Sequence, residues 1–209
     1  MTPLSPDTDA SLKSYFELLS LWNTKMNLTS IEGFDAFLEK QVGDVIPLLP
    51  YIEEAQRLLD LGTGPGIPGI LLKIMRPDLD VVLIDATRKK TSFCNEAIRK
   101  LGLHDIQALQ GRAEDTALQK KLSLFDIVIS RATWKLSDYL PIAGRYLSRS
   151  GICIAMKGPS WKKELADCSH ESALSLCGAH PYALASGEGR TLLIFSFGGA
   201  ARQEEISPL

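Results

Sequence analysis

The chain has no run of about 18 apolar residues, the length a membrane-spanning helix needs. Its first residues, Met-Thr-Pro-Leu-Ser-Pro-Asp-Thr-Asp, carry acids and lack the basic-then-apolar order of a secretory signal. A cytosolic protein with no membrane contact is therefore expected. Paired cysteines are missing too. The four present (Cys94, Cys153, Cys168, Cys177) show no C-x-x-C spacing and sit in apolar or helical contexts, which reads as reduced structural thiols and no metal site. An excess of either charge is also absent. The formal net charge is −2, so no global basic field announces nucleic acid, and only a local patch remains open. Histidines are few and scattered (His104, His170, His180), and each reads as a surface residue.

What is present is an ordinary globular composition, 45% hydrophobic and 23% charged over 209 residues, sized for one domain. Its most informative stretch is Arg57 to Gly69, R-L-L-D-L-G-T-G-P-G-I-P-G. A short apolar run ends in an acid and then in glycines, and another apolar segment follows at once. That pattern predicts a buried strand, a turn where bare backbone approaches a ligand, and a helix beneath it.

Around this stretch the chain divides in two. Residues 1–55 read as a helical flank, with a helix over 9–22, a polar break at Asn23–Ser30, a second helix from about Ile31, and a third over Val42–Ile52 interrupted or started at Pro47. Residues 56–209 alternate. Strands are predicted at Leu58–Leu61, Val81–Ile84, Ile106–Leu109, Phe125–Ile129 and Ile152–Met156. Helices are predicted at Ile67–Met75, Arg88–Leu101, Leu136–Leu147 and Trp161 to about Leu176, with a short one after Asp115. Two last strands, Tyr182–Ala185 and Thr191–Phe197, joined by Ser-Gly-Glu-Gly, suggest an antiparallel pair. Alternating strands and helices argue a doubly wound α/β sheet. The closing antiparallel pair suits the seven-stranded, mostly parallel sheet of Rossmann-like class I methyltransferases dependent on S-adenosyl-L-methionine (AdoMet).

Gly64, Gly66 and Gly69 also fit G-x-G-x-x-G, so a dinucleotide is the first alternative, though that motif alone is weak. Pro65 and Pro68 remove amide donors that a pyrophosphate would use, and Asp60 places a carboxylate beside the turn. Both features favour a cationic ligand such as AdoMet. Gly62 and Gly64 then approach the donor. Asp85, at the end of the second strand, is placed to accept the ribose hydroxyls, and Ala113–Glu114, after the third, to read an adenine edge. Asp85 and Glu114 can equally be read as acids at helix starts.

The acceptor is approached by elimination. Cys153 lies inside a strand, so a cytosine-type nucleophile is not indicated, and the loop after the fourth strand reads S-R-A-T-W, unlike the N-P-P-Y loop of exocyclic-amine methylation. The strand ends carry cations instead: Arg88, Lys89 and Lys90; Arg131 and Lys135; then Lys157, Lys162 and Lys163 beside Trp161. Cations at helix starts oppose the macrodipole, which favours a polyanionic substrate over solvated helix ends. Trp134 and Trp161 read either as stacking platforms or as core. A guanine N7 acceptor fits the missing machinery, since its lone pair attacks without a general base. In A-form RNA that atom faces a narrow groove, so the base must be unpaired.

These residues resemble the family of ribosomal small subunit methyltransferase G, also called glucose-inhibited division protein B. The matching segments are 21–29 (L-W-N-T-K-M-N-L-T), 58–69, Leu83–Lys90, 111–114 (G-R-A-E), 126–132 (D-I-V-I-S-R-A) and 156–158 (M-K-G). The resemblance implies N7-methylguanosine formation in 16S rRNA, with donor contacts at Gly62, Ile67, Ala113, Glu114 and Arg131. Gly64 and Asp85 are added by the local chemistry. Arg131 is expected to face the base as well, and Lys157, Arg88 and Lys162 to contact RNA. The sequence departs from the family at 41–45, where a His usually stands three residues ahead of Asp-Ser and this chain has Gln41, Asp44 and Val45. A basic C-terminal tail is lacking as well. A small-molecule methyltransferase and a non-catalytic ribosome assembly factor with an AdoMet pocket are the alternatives, with a nicotinamide oxidoreductase last. A monomer is expected.

Overall fold

The computed structural model describes residues 5–54, 56–131, 133–168 and 172–198. His170, Ala132 of the 126–132 motif and the C-terminal tail lie outside the described residues.

The N-terminal flank begins with α1 (Pro6–Met26), capped by Ser5, whose side chain accepts from the Thr8 amide, and closed by Asn27 in the left-handed region. The helix runs four residues into the predicted break. Next come α2 (Phe34–Phe37), a π turn (Leu38–Val42), α3 (Gly43–Val45) and a 3-10 segment (Ile46–Tyr51) that holds both prolines. This is a continuously changing helix rather than two regular ones. Pro47 and Pro50 deny the amides that a long α-helix needs.

The rest follows the expected alternation: β1 (Arg57–Leu61), α4 (Gly69–Met75), β2 (Asp80–Asp85), α5 (Arg88–Lys100), β3 (Ile106–Gln110), α6 (Thr116–Lys121), β4 (Phe125–Arg131), α7 (Leu136–Gly144), β5 (Leu147–Lys157), α8 (Trp161–Ala166), β6 (Leu174–Ala183) and β7 (Gly189–Phe197). The seven strands lie in the order β3-β2-β1-β4-β5-β7-β6. The first five pair in parallel, and β7 is antiparallel to both β5 and β6.

Two expectations fail near the C-terminal edge. The helix predicted to Leu176 ends at Ala166, and β6 starts at Leu174, well before Tyr182. Most residues of β6 are exposed, and Pro181 sits within it, as an edge strand tolerates. Without a buried face the period-2 signal is faint. Similarly, α7 stops at Gly144 and β5 starts at Leu147, because Ser148–Gly151 bulge out of the pairing with β4.

The pleat sorts the core into two layers. Leu58, Val81, Leu83, Ile127, Ile129, Ile154 and Met156 face the layer that contains α1, α4 and α5. Leu59, Leu61, Val82, Ile84, Val128, Cys153 and Ala155 face α7 and its neighbours. Strands buried on both faces read as apolar runs, continuous in Val81–Ile84 and broken in Leu58–Leu61 only by the buried Asp60. The first layer also binds the flank to the site, since the buried Tyr15 hydroxyl of α1 donates to the Pro65 carbonyl in the glycine turn at 2.6 Å.

Candidate active site

Sheet order reverses between β1 and β4, and in such sheets ligands bind outside the strand ends at that point. The register aligns the ends that matter, with Leu61 beside Ile84, Asp85 beside Gln110 and Arg131 beside Met156. A cavity of about 960 Å³ opens there, lined by the glycine turn, the segment after β4, the end of β5, the β6–β7 turn and the flank.

Asp60 braces the turn from below. It is fully buried on the α4 face, and its Oδ2 accepts from the Thr63 hydroxyl at 2.6 Å and from the Gly69 amide, the first of α4, at 2.9 Å. A methyl at Gly69 would strike both Leu83 and Asp60. Asp60 is thus a strap inside the fold, whereas the sequence suggested a charge facing the ligand. Burial raises its carboxyl from an ordinary 3.8 to about 7, with nearby Asp85 adding to the rise, while the Thr63 and Gly69 hydrogen bonds and Arg131 oppose it. A carboxyl raised in the folded state binds its proton more tightly there. Its stabilisation is therefore full below about pH 4 and is lost as pH rises through about 7, on the order of 4 kcal/mol in all. Asp60→Asn is expected to remove this slope. Urea unfolding of both proteins between pH 4.5 and 7.5 checks it, and parallel profiles would contradict it.

Above the strap, Gly62 (φ +67°) lets the Thr133 side chain close against the turn, where a Cβ would lie 2.5 Å from its methyl carbon. The Thr133 hydroxyl is 3.2 Å from the Gly62 carbonyl and 3.0 Å from that of Arg131, tying the β1 and β4 ends together. Gly64 (φ +61°) has open space where its side chain would stand, and its amide donates to Asp85 Oδ2 at 3.0 Å. Asp85 is 6% exposed, and its other oxygen accepts from the Thr87 amide at 2.8 Å. Lys90 stands 3.6 Å away on α5.

The cavity takes in Gly62, Gly64, Ile67, Arg131 and Lys157 of the expected residues. Asp85 lies directly behind its wall. Ala113 and Glu114 lie beyond the lining on the β3 side, where the buried Tyr146 hydroxyl donates to the Ala113 carbonyl at 2.8 Å and Glu114 is exposed. Arg88 and Lys162 also lie outside the lining, exposed at the starts of α5 and α8, and Lys162 stands 5.7 Å over the Trp161 ring.

Lys157 is not the free rim cation its position suggested. It is 9% exposed, and its ammonium donates to Glu164 at 2.7 Å and to the Trp134 carbonyl at 2.5 Å. Trp134 lines the cavity and stacks on Tyr139, with ring centroids 6.4 Å apart. Cys153 is fully buried and its thiol is pushed up to about 12 by burial, so it is no nucleophile.

Sequence reasoning missed a polar hub on the flank side. Asp44 is 4% exposed and accepts from the Tyr182 hydroxyl (2.5 Å) and Arg131 Nη1 (3.1 Å), with Arg190 at 3.9 Å. Burial first, then the Asp44 charge, raises the Tyr182 phenol far above its ordinary value. Tyr182 lies 138 positions from Asp44 and Arg190 farther still, so no spacing in the sequence could pair them. The departure at 41–45 was the only signal.

Residues 8–193 match the family model described as rRNA small subunit methyltransferase G. The chain belongs to this family. Curated relatives of that name are similar in sequence. The protein of Myxococcus xanthus is 35% identical over 92% of this chain and 90% of its own length, and that of Syntrophotalea carbinolica is 35% identical over 86% and 85%. Among solved structures, a point mutant of MtNAS in complex with S-adenosylmethionine is similar with a TM-score of 0.61 over 91% of this chain and 77% of its own, at 14% identity, which shows the fold alone. The chain is thus an AdoMet-dependent class I methyltransferase.

The residues present fit that donor. Gly64 leaves its Cα face open, and Asp85 puts an acid rather than a phosphate-binding amide array behind it. Among the described residues no helix is long and apolar enough to cross a membrane.

Proposed function

We propose that the enzyme methylates N7 of an unpaired guanine in 16S rRNA within the small ribosomal subunit. On this reading residues 1–209 act as one domain, as a cytoplasmic monomer. The carrying observation is the cavity's chemistry within this family. Among the described residues no histidine or cysteine lines it, and three of its four carboxylates are engaged: Asp44 by Arg131 and Tyr182, Glu164 by Lys157, Glu188 by Arg190. Such a site suits an acceptor that brings its own lone pair and no proton.

AdoMet supplies an electrophilic methyl on a sulfonium. Gly62, Gly64 and Ile67 would hold its methionine side, Asp85 its ribose, and Ala113 with Glu114 its adenine. Arg131, oriented by Asp44, would face both donor and base across the β1–β4 gap. Trp134, half-buried at the mouth, offers a face for the extruded base. Arg88, Lys89, Lys135 and Lys162 are exposed and supply phosphate contacts around the mouth. Lys157 acts on this reading by fixing Trp134 and Glu164 rather than by touching RNA. Incubation with labelled AdoMet should transfer label to undermethylated small subunits, and labelling of metabolites alone would turn the reading toward a small-molecule enzyme.

A further inference from the structure

The glycine turn uses up its own amides. Gly64 donates to Asp85, Gly66 and Ile67 to the Thr63 carbonyl, Gly69 to Asp60 and Ile70 to the Gly66 carbonyl. Pro65 and Pro68 have no amide to give. The Gly64 carbonyl accepts from the buried Cys94 thiol at 3.5 Å. The Pro65 carbonyl is left for a donor from outside, and the Tyr15 hydroxyl of α1 supplies it. Tyr15 is fully buried, and its ring packs against Phe37 of α2 and Phe93 of α5, with centroids 5.8 and 5.9 Å away. The direction of its hydroxyl is therefore set by three elements. Burial raises the phenol well above its ordinary value, so it stays protonated and keeps donating.

We propose that Tyr15 is a positioning residue for the methyl donor: from the N-terminal flank it pins the Pro65 carbonyl and so holds the Gly64–Gly66 backbone in the shape that meets AdoMet. The inference rests on the reading that the donor's methionine side lies against Gly62 and Gly64. Pro65 stands between two glycines of positive φ, Gly64 at +61° and Gly66 at +90°. Glycine leaves such a conformation easily, so the peptide joining Pro65 to Gly66 depends on its hydrogen bonds for a fixed orientation. The Thr63 carbonyl holds its amide and Tyr15 holds its carbonyl. Removing the hydroxyl frees one end of that peptide and leaves an acceptor facing the core unmatched. AdoMet must then order the turn as it binds, and its affinity falls by that cost. The chemical step follows once the turn is ordered, and it keeps its rate.

The test compares Tyr15→Phe with the wild type by AdoMet titration calorimetry, thermal melting and steady-state transfer to undermethylated small subunits. Leu19→Val, a packing change at a buried position of the same helix, is the control for lowered stability alone. Tyr15→Phe should raise the AdoMet dissociation constant and the KM for AdoMet about 5- to 10-fold, the share of one neutral hydrogen bond. Its kcat at saturating AdoMet and its KM for the subunit should stay within about 2-fold of the wild type. Leu19→Val should lower the melting temperature and leave AdoMet affinity unchanged. A Tyr15→Phe protein that binds AdoMet as the wild type does overturns the proposal, whatever its melting temperature. So does an equal loss of affinity in Leu19→Val, since that makes the effect one of general loosening. Tyr15→Met, also without a hydroxyl, is measured in its place if the phenylalanine variant fails to fold. Asp85→Ala in the same titrations keeps the two readings apart. If it weakens AdoMet while Tyr15→Phe does not, the positioning role alone falls. If neither does, the donor site at this turn has failed first.

Discussion

Asp85→Ala is expected to weaken AdoMet binding about 100-fold while leaving the protein folded. The carboxylate closes β2 at the aligned strand ends and spends one lone pair per oxygen, on the Gly64 and Thr87 amides. Each oxygen accepts twice, so capacity remains for two ribose hydroxyls. Hydrogen bonds to a charged group contribute about 1.5–3 kcal/mol each, and two lost together amount to at least two decades of affinity. Part of the effect comes through the turn, because Gly64 loses the acceptor that sets its amide. Titration calorimetry with thermal melting separates the two. An unchanged dissociation constant would remove the ribose contact, and a collapsed melting transition would make Asp85 a structural residue first.

Asp44→Ala is expected to cost about 3–5 kcal/mol of unfolding free energy, the usual result of stripping one partner from a buried ion pair. The carboxylate joins α3 on the flank to Arg131 of β4, Tyr182 of β6 and Arg190 of β7. Without it, two guanidinium groups remain in one pocket with no shared counter-charge. Tyr182→Phe removes a single hydrogen bond and should cost about 1 kcal/mol. Methyl transfer should fall further than folding alone explains, because Arg131 loses its orientation. Urea denaturation measures the first effect, and single-turnover transfer by the folded fraction measures the second. A loss below about 1 kcal/mol would reduce the hub to an ordinary surface pair.

What could be read in the sequence follows what is buried. β1, β2 and β4 are covered on both faces, so their middles had to be largely apolar, and runs such as Val81–Ile84 show it. The glycine turn was legible because Gly62 and Gly64 adopt positive φ beside a strand end. β6 was not, since an exposed edge strand selects for little. The charged residues were harder still. Lys157 looks like any rim cation in sequence, and only the fold brings Glu164 and the Trp134 carbonyl to it. Asp60 was seen beside the turn but not beneath it, and depth is what makes it a strap with a raised carboxyl. Asp44 showed only as part of a departure from the family pattern. Its meaning comes from partners on β4, β6 and β7 that no local spacing encodes.

The central claim, that this cavity presents a guanine N7 of 16S rRNA to AdoMet, is tested most directly by locating the transferred methyl. Small subunits from a strain lacking this modification would be incubated with the enzyme and labelled AdoMet. Their RNA would then be digested to nucleosides and also cleaved at N7-methylguanosine by borohydride and aniline. The account predicts label only in N7-methylguanosine and a single cleavage site, in 16S rRNA. Label in a methylated cytidine or adenosine, or none in the RNA, would contradict it.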